Sequence, residues 1–314
     1  MHFYTCGELL LDLILEPDGK LNAVAGGSQV NVALNLAKVN QQVQMIGLLG
    51  KDGPGNLLLT KLQSNKVDTS LIIQDQAYKT GLAFASLDED GKAVFDIYKA
   101  RFNDAVFQIP YPTLDAESVI SFGSLAAIDP VWQAFLRPLL QMARKQRSLV
   151  FYDPNIRCGF KAESDTSKVV ENMWQANIIR GSDEDFLKIF ETDHADAIVQ
   201  KAALSPDQIL IITRGSGDLD CVHQGDLFNF PVPALPAVKS TVGAGDAFNS
   251  GFLFAWSHLK LNRQSLLQGL SAKQLGMLVG AGLSFARDVC QSSGNQISDA
   301  VAERAKSLVS FPAA

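Results

Sequence analysis

In the last quarter of the chain, Gly243-Ala244-Gly245 precedes an apolar segment carrying Phe248, Phe252 and Trp256 at helical spacing. Small residues let a backbone approach a ligand closely and take conformations closed to bulkier side chains. The first turn of a helix leaves N–H groups unpaired, and the helix dipole is positive there. Together these make an anion site. Asp246 follows directly, in the first helical turn, where the dipole favours its ionised form. A carboxylate beside a bound phosphoryl group can take the proton from an attacking hydroxyl. The same carboxylate can instead do no more than complement the helix end, and spacing alone leaves the two readings level.

Such a loop needs a scaffold that presents it. The chain alternates short apolar runs with helical patterns. Strands are predicted at Tyr4–Cys6, Leu9–Leu15, Val43–Leu48, Val119–Phe122, Leu149–Tyr152, Asn177–Ile179 and Ile209–Thr213. Helices are predicted at Val30–Val39, Leu58–Leu62, Pro130–Lys145, Ser167–Gln175, Asp183–Phe190, Ala195–Ala203, Gly245–Leu259, Arg263–Arg287 and Ala300–Leu308. Two hairpins interrupt the alternation. Leu82–Leu87 and Ala93–Tyr98 flank the turn signal Asp88-Glu89-Asp90-Gly91, and Cys221–His223 pairs with Phe228–Phe230 around Gly225-Asp226. Alternation of this kind predicts a doubly wound, mostly parallel α/β sheet whose ligand sits beyond the carboxyl ends of the strands. The first hairpin reads as a small flap added to that sheet.

Composition narrows the partners. A length of 314 residues suits one large α/β domain or two medium ones, and 47% hydrophobic residues supply a sizeable core. A net charge of -6 argues against a general binder of nucleic acid or membrane surfaces. Cys6, Cys158, Cys221 and Cys290 are far apart, as are His2, His194, His223 and His258, so free thiols and no zinc site are expected. Glu8 and Asp12 break the apolar N-terminal stretch, which reads as strands rather than a signal peptide. With no run of about 18 apolar residues, a cytoplasmic protein is expected.

Thr241-Val242-Gly243-Ala244-Gly245-Asp246-Ala247-Phe248 resembles the C-terminal signature of the PfkB/ribokinase family of carbohydrate kinases. Ala25-Gly26-Gly27-Ser28-Gln29-Val30-Asn31-Val32-Ala33 is similar to the family's N-terminal double-glycine signature, although Ser28-Gln29-Val30 stands where sugar kinases often carry smaller residues or Pro. Phe122-Gly123-Ser124-Leu125 and Asp153-Pro154-Asn155-Ile156-Arg157 look most like fructokinases. The resemblance runs from Gly7 to about Arg287. It implies a ribokinase-like doubly wound, mostly parallel sheet with helices on both faces and a small β lid. It also implies a single domain over 1–314, with the lid formed by roughly 9–25 and 80–105.

The resemblance implies roles as well. Asp246 is the catalytic base, and Gly243, Ala244 and Gly245 form the anion hole. Asp12, Gly26, Gly27 and Asn31 bind the sugar, which suits the chemistry: carboxylates accept from hydroxyls, and amides both accept and donate. Arg101 and Arg157 are substrate-site cations, each with a solvated surface Arg as the plainer reading. Ser182, Thr213, Gly215 and Gly217 bind nucleotide, with Asp218 filling the slot where the family's last turn glycine is expected. Asp185 organises Mg²⁺ through water, or pairs with Ser182 as a capping box; both can hold at once. Ser240 stands where family members often carry Asp at the start of a monovalent-cation loop, which leaves potassium activation open. Lys51-Asp52-Gly53-Pro54-Gly55 lacks the spacing of a P-loop and is read as turn and packing.

The expected reaction is transfer of the γ-phosphoryl group of ATP to a primary hydroxyl of a sugar, fructose first. A 2-keto-3-deoxygluconate kinase or another sugar kinase is the alternative. A non-catalytic sugar-binding regulator on the same scaffold is the alternative of another class. The absence of G-x-G-x-x-G after the first strand sets aside a dinucleotide-binding oxidoreductase. Pairing of two lids in a homodimer is implied by analogy with the family.

Overall fold

The computed structural model describes residues 1–15, 19–87, 93–98, 101–156, 160–292 and 294–307. The first half of the chain contains β1 (His2–Cys6), β2 (Leu10–Leu15), β3 (Leu21–Gly26), α1 (Ser28–Lys38), β4 (Gln42–Gly50), α2 (Gly53–Ser64), β5 (Asp68–Asp75), β6 (Gly81–Leu87), β7 (Ala93–Tyr98), β8 (Ser118–Gly123), α3 (Pro130–Gln146) and β9 (Leu149–Asp153). The second half adds α4 (Ala162–Gln175), β10 (Ile178–Ser182), α5 (Asp183–Phe190), α6 (Ala195–Ala202), β11 (Ile209–Arg214), β12 (Gly217–His223), β13 (Asp226–Phe230), α7 (Ala244–His258), α8 (Arg263–Gln268), α9 (Ala272–Cys290) and α10 (Asp299–Ser307).

The main sheet has the order β13-β12-β11-β10-β9-β8-β1-β4-β5. Its strands from β11 through β5 pair in parallel, and the β12–β13 hairpin adds an antiparallel edge. Every residue of β8 and β9 is buried, as parallel strands covered on both faces require. Strand periodicity sorts the side chains onto two faces. Phe3, Val119, Phe151, Ile178 and Ile211 join a core with α1, α7 and α9. Their neighbours Tyr4, Ile120, Tyr152, Ile179 and Ile212 join a second core with α3, α4, α5 and α6. Helices on both faces follow from that alternation.

A second sheet has the order β3-β2-β6-β7 and forms the lid. Here β2 pairs antiparallel with β3 and parallel with β6, and β6 pairs antiparallel with β7. The β6–β7 pairing is the one expected from the hairpin signal; the turn itself, 88–92, lies outside the described residues.

Three readings are corrected. The helix expected over Arg263–Arg287 is two helices. Gly269 takes a φ of 83° between them, and Ser271 starts α9 with a capping box on Gln274. Strand β5 was not expected, because an edge strand reading Asp-Thr-Ser-Leu-Ile-Ile-Gln-Asp carries too many polar residues to show a buried-strand pattern. Strand β3 was likewise not assigned; Leu21–Ala23 are exposed and only Ala25 and Gly26 are buried. Several expected elements also run longer than predicted, notably α4 and β4.

Segment 51–55 does what packing asks of it. Asp52 caps α2 by accepting from Gly55 N, and its other oxygen accepts from Thr80 N. The Thr80 hydroxyl accepts in turn from Gly50 N, so this turn ties the main sheet to the start of the lid.

Candidate active site

Helix α7 begins at Gly243, whose φ of 80° lies in the left-handed region, and no side chain caps this end. Both glycines of the loop are under steric demand. A Cβ on Gly243 would lie 2.8 Å from the Cβ of Asn295, and one on Gly245 would lie 2.7 Å from Arg180 Nη1. The Ala244 N–H turns back onto Thr241 O at 3.2 Å, so this amide already has a partner within the loop.

Asp246 is buried at 8% exposure, and its carboxylate is gripped from α1. Ser28 Oγ donates to Oδ1 at 2.6 Å, and Asn31 Nδ2 donates to Oδ2 at 2.8 Å. Donors on both oxygens favour the ionised form. Ser28 and Asn31 sit one turn apart on α1, so a single helix face supplies both. The Asn31 Oδ1 is buried with no hydrogen-bond partner among the described residues, which leaves an acceptor for a ligand hydroxyl.

Asp12 lies on β2 opposite Val24 of β3. A Cβ on Gly26 would overlap the Asp12 carboxylate, which is why this position has no side chain. Gly27, at a φ of 101°, caps α1 with its α-carbon against Glu8; a Cβ there would lie 2.5 Å from Glu8 O. Burial, and then the charge of Asp246, push the Asp12 carboxyl up to about 7. Two carboxyl groups thus share one site, Asp246 gripped by two donors of α1 and Asp12 raised by burial and by its neighbour.

The remaining expected residues divide. Ser182 and Asp185 form a full capping box on α5. Asp185 Oδ2 accepts from Ser182 N and Oγ, and its Oδ1 accepts from Ile156 N at 2.7 Å. Thr213 sits at the carboxyl end of β11, where its hydroxyl accepts from Arg180 Nη2 at 2.6 Å. Gly215 (φ 56°) and Gly217 make the exposed turn into β12, next to Arg214, whose guanidinium pairs with Asp193 and Asp220. Arg101 is exposed after β7 and takes no part in the hydrogen bonds joining α1 to Asp246. Arg157 lies outside the described residues.

Residues that spacing did not single out complete the wall. Asn295 donates from Nδ2 to Ala25 O at 3.0 Å and packs against Gly243, joining the loop after α9 to both the lid and the turn before α7. Asp153, at the end of β9, is 1% exposed and takes hydrogen bonds from Arg180 and Asn249. Burial pushes its carboxyl up, and Arg180 pulls it back down.

The pfkB family carbohydrate kinase description matches residues 5–300. Fructokinase-1 of Oryza sativa subsp. japonica is 29% identical over 262 residues, covering 79% of this chain and 80% of that protein. Among solved structures, the fructokinase with bound ATP from Xylella fastidiosa superposes with a TM-score of 0.81 at 21% identity, covering 97% of each chain. The aminoimidazole riboside kinase from Salmonella enterica, complexed with aminoimidazole riboside and an ATP analog, has a TM-score of 0.80 at 19% identity, covering 98% of this chain and 100% of that one.

A doubly wound sheet with a β lid, carrying an uncapped helix end beside buried carboxylates, is the architecture of a phosphotransferase acting on a hydroxyl. The chain belongs to the pfkB family of carbohydrate kinases.

Proposed function

We propose that this chain transfers the γ-phosphoryl group of ATP to a primary hydroxyl of fructose. The observation that carries the reading is Asp246. It lies in the first turn of the uncapped helix α7, with its carboxylate held at 2.6 and 2.8 Å by Ser28 and Asn31. The sugar hydroxyl gives its proton to Asp246 while its oxygen bonds to the γ-phosphorus. The bond from that phosphorus to the β–γ bridging oxygen breaks, and ADP leaves. The amides at the start of α7 stabilise the charge on the transferring group. Asp12, Asn31 and the Gly26-Gly27 backbone hold the sugar, and the lid sheet excludes water that would otherwise accept the phosphoryl group. Ser182, Thr213, Gly215 and Gly217 are assigned to the nucleotide side, at the carboxyl ends of β10 and β11.

Mg²⁺ fits this site only as an ion carried largely by the phosphates. No group of three or more His, Cys, Asp or Glu suited to a metal exists among the described residues. The Asp185 oxygens are engaged by Ile156 and Ser182, so this side chain reaches a metal through water. When bound, the ion shields the phosphate charge. Ser240 uses its hydroxyl to accept from Val242 N, and its neutral oxygen makes it a weaker support for a monovalent cation than the Asp common in the family.

Fructose is favoured over a sugar acid because Asp12 and Asp246 already bring two carboxyl groups to the site, and a third carboxylate would be repelled. An intact base and an uncapped helix end support an enzyme over a non-catalytic sugar binder. The test is ADP formation measured across fructose, ribose, 2-keto-3-deoxygluconate and nucleosides. The expected result is the highest kcat/KM on fructose. A preference for 2-keto-3-deoxygluconate or a riboside moves the assignment within the family, and no turnover on any of them contradicts it.

A further inference from the structure

Arg180 is a buried cation placed against the start of helix α7. It lies on β10, two residues before the carboxyl end of the strand, and is 8% exposed. Its Nη1 donates to Asp153 Oδ2 at 3.0 Å, at the end of β9, and its Nη2 donates to Thr213 Oγ1 at 2.6 Å, on β11. The Cζ stands 5.9 Å from the centre of the Phe248 ring on α7. Asp153 Oδ2 also accepts from Asn249 Nδ2 of α7 at 2.6 Å. The three heavy atoms that a Cβ on Gly245 would meet first all belong to this guanidinium, at 2.7, 3.1 and 3.2 Å. The guanidinium therefore lies against the first turn of α7, tied to the ends of two neighbouring strands.

A purely structural role accounts poorly for a charge here. Buried ion pairs contribute little net stability over apolar residues of similar size. What the pair does supply is an oriented charge. The guanidinium, not the carboxylate, is the member touching Gly245, so the positive end faces the helix terminus. In a water-poor wall such a charge acts strongly on a nearby anion. Two bonds from one planar group, to Asp153 and Thr213, fix the guanidinium's orientation where it packs against Gly245. The buried Nε has no hydrogen-bond partner among the described residues and is left as a further donor.

We propose that Arg180 is a positioning residue for phosphoryl transfer, which fixes the Gly243–Gly245 turn and holds a positive charge behind it. This rests on the assignment of that turn to the transferring phosphoryl group. The glycine at 245 is then explained from behind: it is the space Arg180 needs to press against the helix.

R180M leaves Asp153 buried without its cation, so the decisive variant is D153N/R180M, in which the pair is neutral. For the folded double variant, the expected result is a kcat about 10²-fold lower with the sugar KM within about threefold of wild type, as for loss of an oxyanion-stabilising group. Titration with ADP, Mg²⁺ and aluminium fluoride, a mimic of the transferring group, should show binding weakened about 10²-fold, against about threefold or less for ADP alone. Turnover within about threefold of wild type, or unchanged aluminium fluoride affinity, overturns the proposal. Should the double variant fail to fold, R180K decides. It keeps the charge but replaces the rigid planar fork with a flexible point charge, so a kcat about tenfold lower supports the proposal and a wild-type kcat overturns it. Failure of the underlying assignment shows elsewhere: in a wild-type protein that phosphorylates no sugar, or in a D246N variant with full turnover.

Discussion

Asp12 carries two opposite consequences of one environment. Its pKa is raised from 3.8 to about 7 by burial and by Asp246. Between those values the native state holds a proton that the unfolded chain has released. Its contribution to stability is therefore complete below pH 3.8 and is lost as pH rises through about 7. In its proposed role Asp12 accepts from sugar hydroxyls as a carboxylate, so kcat/KM for the sugar should fall with a slope of one as pH drops below about 7. D12N should remove that limb and lower kcat/KM for the sugar. At pH 8 without sugar it should raise Tm, on the order of 2 °C. A pH–rate profile and a thermal melt check both; a variant that keeps the acidic limb contradicts the assignment. G26A should act through the same carboxylate, displacing Asp12 and raising the sugar KM by about tenfold or more while leaving the ATP KM within about threefold.

Elements were legible where one period dominated. Helix α5 has the bounds that its capping signal predicts, Asp183–Phe190. The four central strands β1, β8, β9 and β10 show as short apolar runs because both of their faces are buried. Strand β5 escaped because exposure mixes polar residues into its pattern, β3 because its short run of mostly small residues gives no strong strand signal, and the α8–α9 break because Gly269-Leu270-Ser271 does not interrupt the apolar stripe. Asp246, Asp12 and the glycine pairs stood out through their resemblance to the family signatures, and the structure brings Ser28 and Asn31 of one signature onto the Asp246 carboxylate of the other. Arg180 did not stand out, since the predicted strand ends at Ile179 and its partner Asp153 lies on another strand, 27 residues earlier. His223 shows how an edge element is held on. Its Nε2 accepts from Leu270 N at 3.1 Å and its Nδ1 faces Gln208 O, which fixes a neutral ring proton on Nδ1. Burial lowers its pKa below 6.5, so this contribution is complete above pH 6.5 and is lost as pH falls. H223Q should flatten the drop in Tm between pH 7.5 and pH 5.5; an unchanged drop contradicts this role.

At the scale of the molecule, two sheets do different work. The main sheet fixes the carboxyl ends that carry Asp153, Ser182 and Thr213, and the lid brings Asp12 within reach of the Asp246 charge. Strands of the lid expose Leu15, Leu21 and Tyr98. No helix among the described residues is long and apolar enough to cross a membrane. The two signatures that define the site come from distant parts of the chain, with Ser28 and Asp246 separated by 218 positions, and they meet only because α1 packs on α7. The central claim is that this meeting makes Asp246 the base. The most direct measurement is the turnover of D246N on the preferred sugar, with nucleotide binding measured on the same preparation. The account predicts a kcat lower by about 10³-fold with ATP affinity within about threefold of wild type. A folded D246N enzyme whose kcat stays within about tenfold of wild type would contradict it.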